Sequence, residues 1–187
     1  MKLTFRFPFS SHSVFRATVE CKCEKPHAKD SKDPPHNRAI KIFHLKDPSK
    51  QEWAGKCLKN EMFIAKNMKH PNIVMTYDVI KTNNNAYIIM RYAPNGSIKS
   101  DLCERLKRPY TNDEAKDYFT GLMNGLQYMH AHNIAHRDLK LENFLLSGSR
   151  VPMLADFGFA ARIKVAKGTV LTHMMQKTFC GTKVSNH

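Results

Sequence analysis

HRDLKLENFLLSGSRVPMLADFG, residues 136–158, decides how this chain is read. Two short polar loops, each ending in acid or amide groups, are separated by an apolar segment long enough for two strands and a turn. Asp138 and Asn143 lie in the first loop, with Lys140 between them, and Asp156 lies in the second. Such an order gathers two metal ligands and a base around one phosphate. A charged loop followed by an apolar hairpin is common by itself, but this order of residue types is the one phosphoryl transfer needs.

Working outward from that stretch, residues 111–131 give the clearest helix. Thr111 followed by Glu114 forms a capping box, and Ala115, Tyr118, Phe119, Leu122, Met123, Leu126 and Met129 make a broad apolar stripe. Before it, APNGS (93–97) reads as a linker. IVMTYDVI (73–80) and AYIIMRY (86–92) read as a strand pair joined by the turn TNNN. QEWAGKCLKNEMFIAKNM (51–68) reads as a helix whose apolar face holds Trp53, Cys57, Leu58, Met62, Ala65 and Met68, with Glu61 beside it. HPN (70–72) ends that helix.

RAIKIFHL (38–45) alternates as a strand and carries Lys41 in its middle. A lysine there either snorkels to solvent at a strand edge or meets an anion, because desolvating it alone is costly. Glu61 is either a solvated glutamate or that anion. Residues 1–24 alternate loosely enough for a strand pair, and residues 25–38, rich in proline, read as a solvated loop.

The formal charge of +14 and a pI near 9.7 attract phosphate-bearing or acidic partners without choosing among them. No reader motif accompanies the charge, so nucleic acid is not the expected partner. Apolar residues at 42% of the chain suffice for a core. No run of apolar residues is long enough to span a membrane, and the apolar leader is short and broken by proline. Five irregularly spaced cysteines suit reduced thiols and a cytoplasmic location. Cys21 and Cys23, with His27 and His36 after them, form only a weak zinc pattern.

HRDLKLEN, DFG, AIK and Glu61, in this order along the chain, resemble a eukaryotic protein kinase, and Lys140 two residues after Asp138 resembles the serine/threonine class. HRDLKLENFLL, DFGFAARI and QKTFCGT most resemble the testis-specific serine kinases of the calmodulin-kinase-like group. The resemblance implies an α+β, bilobal fold. Residues 1–37 would be degenerate strands and a loop, 38–92 a small antiparallel-sheet lobe with one helix, 93–97 a hinge, and 98–187 a partial, mainly helical large lobe.

It implies ATP and Mg²⁺ as cofactors and a serine- or threonine-bearing protein as substrate. Lys41, oriented by Glu61, would meet the α- and β-phosphates. Met90 would guard the back of the adenine pocket, and Arg91–Ala93 would form the hinge whose backbone bonds the adenine. Asp138 would take or align the hydroxyl proton, and Lys140 would neutralise the γ-phosphate. Asn143 and Asp156 would hold Mg²⁺. Arg137 would meet a phosphorylated Thr178, and Thr182 would touch Asp138 and Lys140.

The chain departs from the pattern at both ends. No glycine precedes Gly55, so a glycine-rich phosphate loop is lacking, and SHSVFRATV (11–19) stands near its place. The segment after CGT is short for the family, which leads us to expect truncation, impaired turnover and a partly uncovered stripe on 111–131 that invites a protein partner. A non-catalytic interaction module on the kinase scaffold is the alternative.

Overall fold

In the computed structural model, residues 2–5, 13–18, 37–45, 51–105 and 108–163 are described, with backbone alone before residue 37 and at 51–54, 56–57 and 65–66. Strands β1 (Lys2–Phe5), β2 (Ser13–Thr18), β3 (Asn37–His44), β4 (Thr76–Lys81) and β5 (Asn85–Arg91) form one antiparallel sheet in the order β1-β2-β3-β5-β4. Helix α1 (Gln51–Asn67) packs against it through β3 and β4. Helices α2 (Ile98–Arg105) and α3 (Asn112–Ala131) follow. The short strands β6 (Ile134–Ala135) and β9 (Ala161–Arg162) pair with each other, as do β7 (Phe144–Leu146) and β8 (Pro152–Leu154). This is the α+β architecture expected, with an antiparallel-sheet lobe and a helical region.

Several expectations need correction. Residues 73–75 do not extend β4. Ile73 instead bridges Leu154 in parallel and the Val74 amide donates to the Leu154 carbonyl, because the chain must cross from the sheet to the hairpin there. Residues 98–105, given no structure from sequence, form α2. The buried face of α1 is Leu58, Glu61, Ile64 and Met68, so Ile64 replaces Met62, which is only half-buried. Within SHSVFRATV, residues 13–18 form strand β2 paired with β3. The loop expected over 25–38 gives way to strand at its end, because Asn37 and Arg38 pair with Thr18 and Ala17 in β3; its residues 25–36, the zinc pattern, Thr178 and Thr182 lie outside the described residues.

One core joins the lobes. Ile64 and Met68 of α1, Ile73, Met129 of α3, Ile134, Leu154, Phe157 and Ala160 are buried together. The N-terminus of α3 has the capping box foreseen, with the Glu114 amide donating to Thr111 Oγ1 and the Thr111 amide to Glu114. Its stripe is buried on one side only: Tyr118 and Met129 are inside, whereas Phe119 is 65% exposed and Met123 42%. A buried carboxylate ties α2 to Tyr110, just before α3, and to Arg150 in the turn between β7 and β8. Asp101 accepts from Tyr110 Oη at 2.6 Å, Arg150 Nη2 at 2.6 Å and Arg105 Nε at 3.1 Å. Burial opposes its charge, but the bonds from Tyr110 and Arg150 outweigh that and hold the carboxyl below its usual range.

Two glycines let α3 approach the hairpin. A Cβ on Gly121 would stand 2.6 Å from the Pro152 ring, and one on Gly125 would stand 2.7 Å from the Asn72 carbonyl oxygen. That carbonyl already accepts from the Leu154 amide, and the Asn72 side chain donates to the Pro152 carbonyl. The backbone of residue 72 therefore cannot retreat cheaply. Gly55 on α1, by contrast, has nothing within 4 Å of such a Cβ. We expect Gly125→Ala to cost about 2 kcal/mol by overpacking, although alanine is the better helix former. Gly55→Ala should add up to about 1 kcal/mol of stability. Urea unfolding midpoints check both, and equal shifts for the pair would contradict this packing.

Candidate active site

β3 carries Lys41 into the interior. Opposite β5 and beneath α1, its ammonium is almost fully buried and pairs with Glu61 Oε1 at 2.5 Å and Asp156 Oδ1 at 2.8 Å. Glu61 is buried too, whereas Asp156 is about one-third exposed. Burial alone would push the lysine down, but the charges of Glu61 and Asp156 outweigh it and hold the ammonium above its ordinary value. Lys41 does not snorkel. Burial and the nearby Asp156 charge push the Glu61 carboxyl up against the pull of Lys41. Two carboxylates around one ammonium leave a net negative cluster.

The first polar loop supplies the other half. Asn143 Nδ2 donates to the Asp138 carbonyl at 2.9 Å and to Asp138 Oδ2 at 2.8 Å, and Lys140 Nζ stands 3.0 Å from the same oxygen. Residues 141–143 form a single 3-10 turn that brings Asn143 back over Asp138. The Ala155 amide donates to the Asn143 carbonyl at 2.9 Å, so Asp156 is tied by backbone to the loop holding Asp138. The hairpin β7–β8 makes that possible by returning the chain to its starting level.

His136 holds the base of the loop. Its Nε2 lies 3.0 Å from the Ala155 carbonyl, which can only accept, so Nε2 carries the proton. Its Nδ1 then accepts from the Asp138 amide at 3.3 Å. This requires a neutral ring, and burial lowers the His136 pKa, with the Ala155 bond and neighbouring carboxylates opposing. Phe157 meets the ring edge-on, 5.3 Å between centroids.

Arg137 and Asp156 both adopt left-handed backbone, φ 66° and 60°, where a side chain is strained by about 1–3 kcal/mol. Both are held there by side-chain bonds, Asp156 to Lys41 and Arg137 Nε to the Phe159 carbonyl at 2.7 Å. Arg137 Nη1 is buried without a hydrogen-bond partner among the described residues. Met90 is half-buried between Leu58 and Ile88 on one side and Met153 on the other; the Arg91 amide donates to the Met75 carbonyl. Ala93 packs beside Met153, and its carbonyl accepts from the Gly96 amide where the chain turns at φ 66°.

The donor set fits a magnesium ion that arrives with a phosphate. Among the described residues no three His, Cys, Asp or Glu side chains form a cage. Asn143 and Asp156 offer one amide and one carboxylate, which suits Mg²⁺ because that ion takes its remaining oxygens from water and phosphate.

Sequence reasoning brought together Lys41, Glu61, Asp138, Lys140, Asn143 and Asp156 as the structure does. It missed Asn60, whose Nδ2 donates to the Gly158 carbonyl at 2.8 Å. It also missed Arg162, whose guanidinium lies 3.8 Å above the Phe63 ring. A polar residue on a helix carries no signal of a partner so far along the chain.

Two outcomes follow from the charges. Lys41→Met strands Glu61 in the interior and should cost about 3 kcal/mol, most of it recovered by adding Glu61→Leu, as a double-mutant cycle in urea would show. Additive losses would contradict the pairing. Because His136 is held below its ordinary pKa, its contribution to stability is present above about pH 6.5 and is lost as the pH falls below that. Stability measured between pH 7 and 5 should fall less steeply in His136→Phe than in the wild type; identical slopes would contradict the neutral ring.

Comparison with known proteins agrees with this geometry. The family described as protein kinase domain matches residues 28–184. Serine/threonine-protein kinase PLK4 of Drosophila virilis is 32% identical over 168 residues, covering 90% of this chain and 20% of the relative. PLK4 of Xenopus laevis is 35% identical over 144 residues, 77% of this chain and 14% of the relative. Serine/threonine-protein kinase SRK2E of Arabidopsis thaliana is 39% identical over 127 residues, 67% of this chain and 33% of the relative. The chain thus spans between about a seventh and a third of the length of these relatives. With its lysine, glutamate and aspartates assembled as above and most of its length matched, the chain belongs to the protein kinase domain family.

Proposed function

We propose that this chain binds ATP and passes its γ-phosphoryl group to a serine or threonine hydroxyl of a protein. The observation that carries the reading is the backbone bond from Ala155 to Asn143, which sets the Asp138 loop beside the Lys41–Asp156 pair. In this reading Lys41 takes the α- and β-phosphates and Lys140 the γ-phosphate. Asn143 and Asp156 hold Mg²⁺, which offsets charge on the phosphate oxygens. Met90 borders the adenine pocket, and the backbone around Arg91 and Ala93 hydrogen-bonds the base. The substrate oxygen forms a bond to the γ-phosphorus as the bond to the β–γ bridging oxygen breaks. Asp138 aligns the hydroxyl and receives its proton, and ADP leaves.

Arg137 adds a regulatory role to the proposal. Its buried Nη1, without a partner among the described residues, suits a phosphate oxygen, and a phosphorylated Thr178 is our choice of acceptor. Thr182 is proposed to contact Asp138 and Lys140. HRDLKLENFLL and QKTFCGT favour likeness to the testis-specific serine kinases, whereas the relatives above are named PLK4 and SRK2E. A cytoplasmic setting belongs to the same proposal. A second reading, a non-catalytic module that binds another protein, is favoured by the exposed Phe119 and Met123 on α3.

Transfer of labelled γ-phosphate from ATP to degenerate serine and threonine peptides tests the first reading. We expect label on the peptides, and a fall of about 10²- to 10⁴-fold in Asp138→Asn with Mg-ATP binding retained. Transfer equal in the variant and the wild type would contradict the role given to Asp138, and no transfer by either would favour the module.

A further inference from the structure

Helix α1 touches the second polar loop at more than its glutamate. Asn60, the residue before Glu61, donates through Nδ2 to the Gly158 carbonyl at 2.8 Å, two residues beyond Asp156. Glu61 reaches the same loop by way of Lys41 and Asp156. Adjacent helical residues thus grip residues 156–158 at both ends, and the bonds close a ring from Asn60 through Gly158, Asp156, Lys41 and Glu61. Besides these polar bonds, Ile64 and Met68 of α1 share a buried core with Phe157 and Ala160. A cavity of about 90 Å³ separates α1 from residues 160–162 just beyond it, with Asn60, Phe63 and Arg162 in its wall. The Arg162 guanidinium over Phe63 is the only charged contact across that gap among the described residues.

The loop needs gripping because of its backbone. Asp156 sits at φ 60°, a conformation a residue with a Cβ leaves readily unless its neighbours hold it. The Lys41 bond fixes the Asp156 side chain but not the turn that follows. A carbonyl pinned two residues later stops the peptide planes between from rotating, and so fixes where the carboxylate points.

We propose that Asn60 is a positioning residue that holds the Asp156 turn in its metal-facing orientation. The inference rests on the nucleotide site proposed above and adds a second connection between α1 and that site.

Asn60 is only half-buried, so Asn60→Ala and the isosteric Asn60→Asp, which sets an acceptor against the Gly158 carbonyl, should both fold. Without any ligand, amide hydrogen exchange over residues 156–160 should quicken in both variants, and more in Asn60→Asp, while residues 144–146 stay as in the wild type. Unchanged exchange over 156–160 would overturn the proposal whether or not the protein binds nucleotide. ATP affinity is then measured with Mg²⁺ and with EDTA. The ratio of the two should fall about tenfold in Asn60→Ala, as expected when a partner orienting a metal ligand is lost. An unchanged ratio, with both affinities lowered alike, would make Asn60 merely structural. Absence of ATP binding by the wild type would remove the nucleotide site and leave the exchange data to decide whether Asn60 holds the turn.

Discussion

A buried ammonium is the constraint on which this structure turns. Lys41 lies in the middle of a sheet strand where water does not reach, and it is tolerated there because Glu61 and Asp156 come to it. Those partners arrive from α1 and from the loop after β8, 20 and 115 residues further along the chain. Satisfying one charge therefore fixes the helix against the sheet and the second polar loop against both. The same demand leaves a surplus of negative charge, and a surplus of that sign suits a cation bound together with phosphate. Stability and chemistry thus come from one cluster, and the second carboxylate is the part that stability alone does not require.

Beneath the cluster the packing is apolar and close. Ile64 and Met68 of α1 meet Met129, Ile134, Leu154 and Phe157, so the helix that carries Glu61 shares a core with the helix and strands that carry the loops. Gly121 and Gly125 let the hairpin and Asn72 lie directly on α3. That proximity sets the height of the Ala155 amide, which reaches the Asn143 carbonyl, and hence the separation between Asp138 and Asp156. Left-handed backbone at Arg137 and Asp156 is the strained part of the arrangement. Each is restrained by a bond from its own side chain, which is how strain persists at a site that needs fixed directions.

Much of this was legible in the chain. The spacing of Asp138, Asn143 and Asp156 around a two-strand segment, the capping box at Thr111 and the alternation around Lys41 are local signals, and each gave the right element. What was not legible depends on contacts distant in sequence. Ile73 reads as the start of a strand because it is apolar and β-branched, but it is drawn away to Leu154. Helix α2 shows too little apolar periodicity to announce itself; it is held by a buried Asp101 whose partners include Arg150, far along the chain. Glycines inside a helix usually count against it, so Gly121 and Gly125 gave no hint of the close contact they permit. Asn60 was invisible for the same reason: its partner is a main-chain carbonyl, which no residue type reveals.

Calorimetry decides whether the Lys41 cluster receives a metal-bound nucleotide as proposed. Titrating the protein with Mg²⁺ alone, and then with Mg-ATP, separates a metal cage from a site completed by phosphate. We expect no heat of binding from Mg²⁺ alone, saturable binding of Mg-ATP, and loss of that binding in Lys41→Met with Glu61→Leu, the pair chosen to keep the fold. Tight binding of Mg²⁺ without nucleotide, or Mg-ATP binding that survives removal of Lys41, would contradict it.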